Sequence, residues 1–131
     1  MADQFPALDL GECLDETKAD IRECEVVTST VTKGQIVEAV HVTGSLPKVA
    51  PCGAAGLAIC GVAMQTGIVG ARILVGFWGI FKVTAGTGGC TAGKWIIGAA
   101  AGTCCDGATA GQCFGRALHT MAAADTGLIQ I

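Results

Sequence analysis

The chain has 131 residues and a mass of 13.1 kDa, enough for one domain with a small core. Charged residues make up 15% of it, well under the usual share of about a quarter, and its 20 glycines and 21 alanines do not suit a coiled coil. The formal net charge of −3 offers nucleic acid no electrostatic footprint.

The charge is unevenly placed. Residues 1–25 carry eight of the eleven acids and two bases, net −6, whereas residues 26–131 are net +3. This divides the chain into an acidic N-terminal arm, 1–28, and a β body, 29–131. Two readings of the arm stand side by side. It is a solvated tail, or it lies extended on a neighbouring subunit, held by Phe5, Leu8 and Leu10. Leu14–Cys24 predicts a short helix beginning near Asp15 or Thr17, too short to hold without packing. The first residues, Met-Ala-Asp-Gln-Phe-Pro, show neither the basic nor the apolar region of a secretory leader. The expectation is a protein made and kept in the cytoplasm of the producing cell.

Beyond the arm, short runs of Val, Ile and Thr alternate with Gly-rich turns. Strands are expected at Glu25–Val31, Gln35–Thr43, Leu57–Met64, Ala71–Phe77, Ile80–Thr84, Lys94–Ala99, Cys113–His119 and Gly127–Ile131. A turn is expected at Thr32–Gly34, and Ala85–Gly93 is almost pure turn chemistry. Gly98–Gly102 is Ala-rich, but glycine at both ends argues against a helix. Met121–Ala124 predicts a single helical turn. Eight short segments without a 3.6-residue period predict an all-β fold, a small antiparallel barrel or sandwich.

A rival reading comes from Pro51–Ala71, which is 21 residues without a charge and long enough to span a bilayer. On that reading the chain is a small holin-like membrane protein using residues 51–82. Glycine at 53, 56, 61, 67 and 70, together with Gln65, favours strands and turns instead.

The body echoes itself. Lys33-Gly34-Gln35-Ile36-Val37-Glu38-Ala39 resembles Ala92-Gly93-Lys94-Trp95-Ile96-Ile97-Gly98 at an offset of 59. Cys60-Gly61-Val62-Ala63-Met64-Gln65-Thr66 resembles Phe114-Gly115-Arg116-Ala117-Leu118-His119-Thr120 at an offset of 54. Two pseudo-repeats are the reading; chance likeness in a Gly/Ala-rich chain is the alternative.

Residues that carry chemistry are sparse. Ser29 and Ser45 lie in no nucleophile elbow, and Gly86-Thr87-Gly88-Gly89 is not followed by the Lys-Ser/Thr of a phosphate loop. The eight cysteines lack a Cys-x-x-Cys and fit no common zinc spacing. Buried free thiols are expected, with later-formed disulfides such as Cys13–Cys24 as the alternative. His41 and His119 fall in strand-like segments and suit surface or core positions. No enzyme activity, cofactor or metal is expected. Trp78 and Trp95 read as core or interface anchors.

The series Lys33-Gly34-Gln35-Ile36-Val37, Cys60-Gly61-Val62-Ala63-Met64, Gly79-Ile80-Phe81-Lys82-Val83, Ala92-Gly93-Lys94-Trp95-Ile96, Cys113-Phe114-Gly115-Arg116-Ala117-Leu118 and Leu128-Ile129-Gln130-Ile131 resembles a family of small tailed-phage capsid cement or decoration proteins. The resemblance covers roughly residues 30–131; the acidic head and the cysteines stand outside it. It implies an all-β fold, self-association, no catalysis, and a place on the outer capsid surface. The implied partners are the major capsid protein and further copies of the chain, a trimer before a dimer, with no nucleic acid and no membrane. Phe5, Leu8, Leu10, Trp78 and Trp95 are then the expected capsid or oligomer contacts. Another virion module, such as a fibre base, is the remaining alternative.

Overall fold

The computed structural model describes residues 2–40, 46–53, 59–107 and 113–131. Its strands are β1 (Asp20–Val26), β2 (Ile36–Ala39), β3 (Lys48–Pro51), β4 (Ile59–Ala63), β5 (Arg72–Trp78), β6 (Ile80–Thr84), β7 (Trp95–Ala99), β8 (Thr103–Asp106), β9 (Gly115–Ala117) and β10 (Thr126–Gln130). The fold is all-β, as the short β-branched runs predict. β3, Lys-Val-Ala-Pro, and β8, Thr-Cys-Cys-Asp, lie outside the expected strand segments. Met121–Ala124 forms a turn rather than a helical turn.

β1 also departs from expectation, since it starts inside the acidic segment and ends where the expected strand begins. Its burial shows why. Cys24 and Val26 point inward and are fully buried, while Glu23 and Glu25, which alternate with them, face the other way. Glu25 pairs with Lys48 at 2.9 Å and Glu23 with Arg72 at 3.6 Å, both on neighbouring strands. The boundary at residue 28 therefore falls after the first strand of the body. Of the expected helix at Leu14–Cys24, only a 3₁₀ turn at Glu16–Lys18 forms, with Asp15 accepting from the Thr17 amide.

The first five strands close into a barrel in the order β1-β3-β2-β4-β5, with β5 returning antiparallel onto β1. β1 and β3 run parallel, with Glu25 opposite Lys48 and Val26 opposite Val49. The second five strands follow β6-β10-β9-β7-β8. Counting β6 as the counterpart of β1, and so on to β10 and β5, this is the same order. The second unit is joined between β6 and β8 by a lone parallel bridge, Ala85 to Cys104.

The likeness extends to single hydrogen bonds. Val31 and Gly67 exchange two backbone bonds of 2.9 Å; Cys90 and Met121 exchange two of 2.8 Å. The Lys33 amide donates to Thr66 Oγ1, and the Ala92 amide to Thr120 Oγ1. The Leu74 amide donates to Gln65 Oε1, and the Leu128 amide to His119 Nδ1, both at 3.0 Å. These pairs recur at offsets of 59 and 54, so the sequence echo is a structural duplication. Each copy contains two turns whose third residue has positive φ: Gly34 (93°), Gly70 (90°), Gly93 (83°) and Ala124 (70°). Each is closed by a bond across the turn, as in Gln35 N–H to Thr32 O.

Among the described residues, two hydrophobic clusters form the core. One lies within the first barrel, around Val26, Val37, Val49, Ile73 and Val75. The other fills the second unit around Phe81, Val83, Ile96, Met121 and Ile129, and also takes in Ile36, Cys52 and Val62 from the first barrel. Strands β2 and β4 are thus buried on both faces, which explains their near-continuous apolar runs.

Residues 2–14 pack on the second unit of their own chain. Gln4 and Ala2 bond Thr126; Gly11 and Glu12 bond Lys82; Leu14 bonds Ile80. The segment so covers part of an edge of β6 that would otherwise be an unpaired strand edge.

Candidate functional site

An exposed apolar face is the feature best suited to contact. Gln130 stands opposite Ile80 and Arg116, and Arg116 opposite Trp95. These four residues therefore share one face of the sheet. The Arg116 guanidinium lies 4.2 Å from the centre of the Trp95 ring, a cation–π contact that holds a half-exposed indole in place.

Beside this row, Phe114 and Ile131 line a shallow groove that reaches Trp95. The same two residues line an adjoining groove with Ile59, Phe77 and Trp78. On the other side, Gln130 and Ile80 lead to Leu14 and Lys18. The result is a continuous surface running from Leu14 past Trp95 to Trp78. Trp78 is 70% exposed, far beyond what a core indole shows. Aromatic and Arg side chains are the types enriched at protein interfaces.

The five expected contact residues divide. Trp78 and Trp95 lie on this face. Phe5, Leu8 and Leu10 turn to their own chain. The Phe5 ring stacks on His119 with centroids 6.1 Å apart and 27° between planes. Leu10 packs over Gly34. The Leu8 and Phe5 carbonyls accept from Lys82 Nζ at 2.7 and 3.1 Å, and Asp3 Oδ2 accepts from it at 2.6 Å. Lys82 is 3% exposed, and its three donors are matched by these three acceptors. Sequence reasoning missed Lys82 because a lone Lys in a β run reads as a solvent-facing residue. It also missed Phe114, Arg116 and Ile131 as members of the face; their only signal was a place in the repeated motif.

Another groove, between the second unit's turns and strand ends, is lined by Thr, Ala and Gly, including Thr84, Thr87, Thr103 and Ala124. Such a lining supplies methyls and hydroxyls but no titratable group. Among the described residues no group of three or more His, Cys, Asp or Glu is placed to hold a metal. His41 lies outside the described residues.

Cys13, Cys24, Cys60, Cys90, Cys104 and Cys105 are thiols. Cys13 and Cys24 sit in different hydrophobic clusters, so the bridge considered between them does not form. Burial pushes the Cys60 thiol up to about 12. No helix among the described residues is long and apolar enough to cross a membrane, and the part of the charge-free run that is described forms strands and turns.

The sequence matches no protein-family model and no curated protein. Among solved structures, the chain is similar to the head fiber gp8.5 N base of bacteriophage phi29, with a TM-score of 0.68 and 15% sequence identity, over 86% of this chain and 93% of that one. The chain and that head fiber base therefore share an overall fold.

Proposed function

We propose that this protein is a structural component of a tailed-phage virion. It sits on the outer surface of the assembled capsid and ties neighbouring major capsid subunits together as a homo-oligomer, a trimer before a dimer. The fold held in common with a head fiber base carries this reading, because the likeness spans nearly all of both chains. The Trp78–Trp95 face is the proposed contact. A few exposed aromatics give modest binding per copy, and several copies acting together make it durable.

The test is co-sedimentation. The purified chain is mixed with capsids that lack it and spun through a gradient. Migration of the chain with the capsids supports the proposal; failure to co-migrate at micromolar concentration sinks it. W78A/W95A should reduce the bound fraction at least tenfold while leaving the fold intact. Native mass measurement gives the number of chains per particle.

A second reading follows from the phi29 protein, in which a similar fold forms the base of a head fiber. On that reading the chain anchors an appendage rather than a coat. Electron microscopy of decorated capsids separates the two: cement gives a regular layer, a base gives isolated projections.

A further inference from the structure

The first unit is a closed barrel, whereas the second is a five-stranded sheet whose end strands meet by different means. In the first, β1 and β3 form a parallel ladder reinforced by the Glu25–Lys48 ion pair. In the second, the corresponding strands β6 and β8 meet at the lone bridge Ala85–Cys104. The positions matching Glu25 and Lys48 are Thr84 and Thr103, so that ion pair has no equivalent. At this seam lie two sulfurs instead. Cys90 Sγ and Cys104 Sγ are 3.5 Å apart, with the two residues 3% and 0% exposed. Their counterparts in the first barrel, Val31 and Val49, are fully buried valines.

The backbones on either side of the pair are pinned together. Gly86 N–H donates to Cys104 O at 2.7 Å, and Asp106 N–H to Gly89 O at 3.0 Å. The Asp106 carboxylate accepts from the Thr91 amide and hydroxyl at 2.8 and 2.7 Å. The sulfurs need approach each other by only about 1.5 Å to reach bonding distance. Cys105, the next residue, projects to the opposite side of β8 because successive strand residues alternate.

We propose that Cys90 and Cys104 are an oxidisable dithiol that accepts a small-molecule disulfide as its oxidant and forms a covalent staple across the β6–β8 seam. The two sulfurs share a hydrogen bond in which either can donate, and this contact holds the Cys90 thiol below its ordinary value and raises that of Cys104. Cys90 is therefore the attacking thiolate. It displaces one thiolate from the small disulfide and forms a mixed disulfide. The Cys104 thiolate then attacks the Cys90 sulfur and releases the second thiolate. The protein loses two electrons and two protons, and the small disulfide becomes two thiols. Because both sulfurs are buried, the oxidant enters when the seam opens, and the isolated Ala85–Cys104 bridge is where the second unit opens most readily. The inference is independent of what the protein binds.

The test incubates the purified chain with oxidised glutathione a few degrees below its melting temperature. Remaining thiols are then alkylated under denaturing conditions, and the digested protein is analysed by mass spectrometry. The expected product joins the peptides containing Cys90 and Cys104, and its melting temperature rises by on the order of 10 °C, reversed by dithiothreitol. C90V/C104V, which copies the first barrel's valines, should fold and show no such rise, whereas C105S should behave as the parent. Alkylation of both cysteines after treatment, or linkage of either to another cysteine, overturns the proposal. A correct bridge with no change in melting temperature overturns the staple.

Discussion

Ala124 occupies the position that glycine fills in the other three turns, at a φ of 70°. An L-residue held there costs about 1–2 kcal/mol, part of which a glycine returns as chain entropy. A124G should therefore raise stability by about 0.5–1 kcal/mol in urea unfolding. The reverse change at its counterpart, G70A, should lower it by about 1 kcal/mol, and by conformation alone, since an added Cβ there meets nothing within 4 Å. Lys82 is the other residue whose replacement is informative. K82M removes three part-buried charge-assisted bonds and should cost about 2 kcal/mol. Limited proteolysis should then cut within residues 2–14 while strands β1–β10 stay protected.

At the scale of the element, the N-terminal segment is a clasp rather than a tail. Its charge is not simply solvated, because Asp3 meets Lys82, and the Asp125 carboxylate of the second unit accepts from the Ala2 amide at 2.7 Å. The Lys82 hydrogen bond holds the Asp3 carboxyl below its ordinary 3.8, and the Ala2 and Ala122 amides do the same for Asp125. Groups with depressed folded values stabilise fully above the unfolded value and lose that contribution as pH falls through the folded one. The clasp should thus hold fully above pH 3.8 and release as pH falls from there through the lower folded values, seen as faster amide exchange in residues 2–14 before the body melts. Gly34 gives a second handle. G34A and G93A place alanine at equivalent positive-φ positions, but only at Gly34 would the methyl overlap Leu10. G34A should therefore loosen the clasp and G93A should not, with the same exchange measurement deciding.

The whole molecule is two copies of one five-stranded unit that share a core. Val62 and Ile36 leave the first barrel's outer face and enter the second unit's cluster. Splitting the copies would expose this surface, so the chain should unfold in one step. V62A should lower stability by about 2 kcal/mol for both halves alike. W78F leaves Trp95 to report on the second unit, and W95F leaves Trp78 to report on the first. Coincident transitions from the two reporters support the shared core, and separated ones contradict it.

Much of this architecture could be read from the residues alone. β2, β4 to β7 and β10 fall on runs rich in Val, Ile or Leu, β9 falls on a repeated Gly-x-Ala motif, and the duplication shows at both offsets, because side-chain alternation and positive-φ turns are local properties that leave local marks. What the sequence could not supply depended on distant partners. β3 and β8 have weak runs of their own and are held by β2 and β7, their ladder neighbours. β1 hides its strand period because its buried face is Cys24 and Val26 while its acids face cations that lie elsewhere in the chain. The placing of Phe5 and Leu8 rests on Lys82 and that of Leu10 on Gly34, partners that no window of neighbours reveals. Trp78 and Trp95 belong to different copies and were marked only as aromatic anchors. Packing of the two copies brings them to one face, through Phe114 and Ile131, and that arrangement exists only in the tertiary structure.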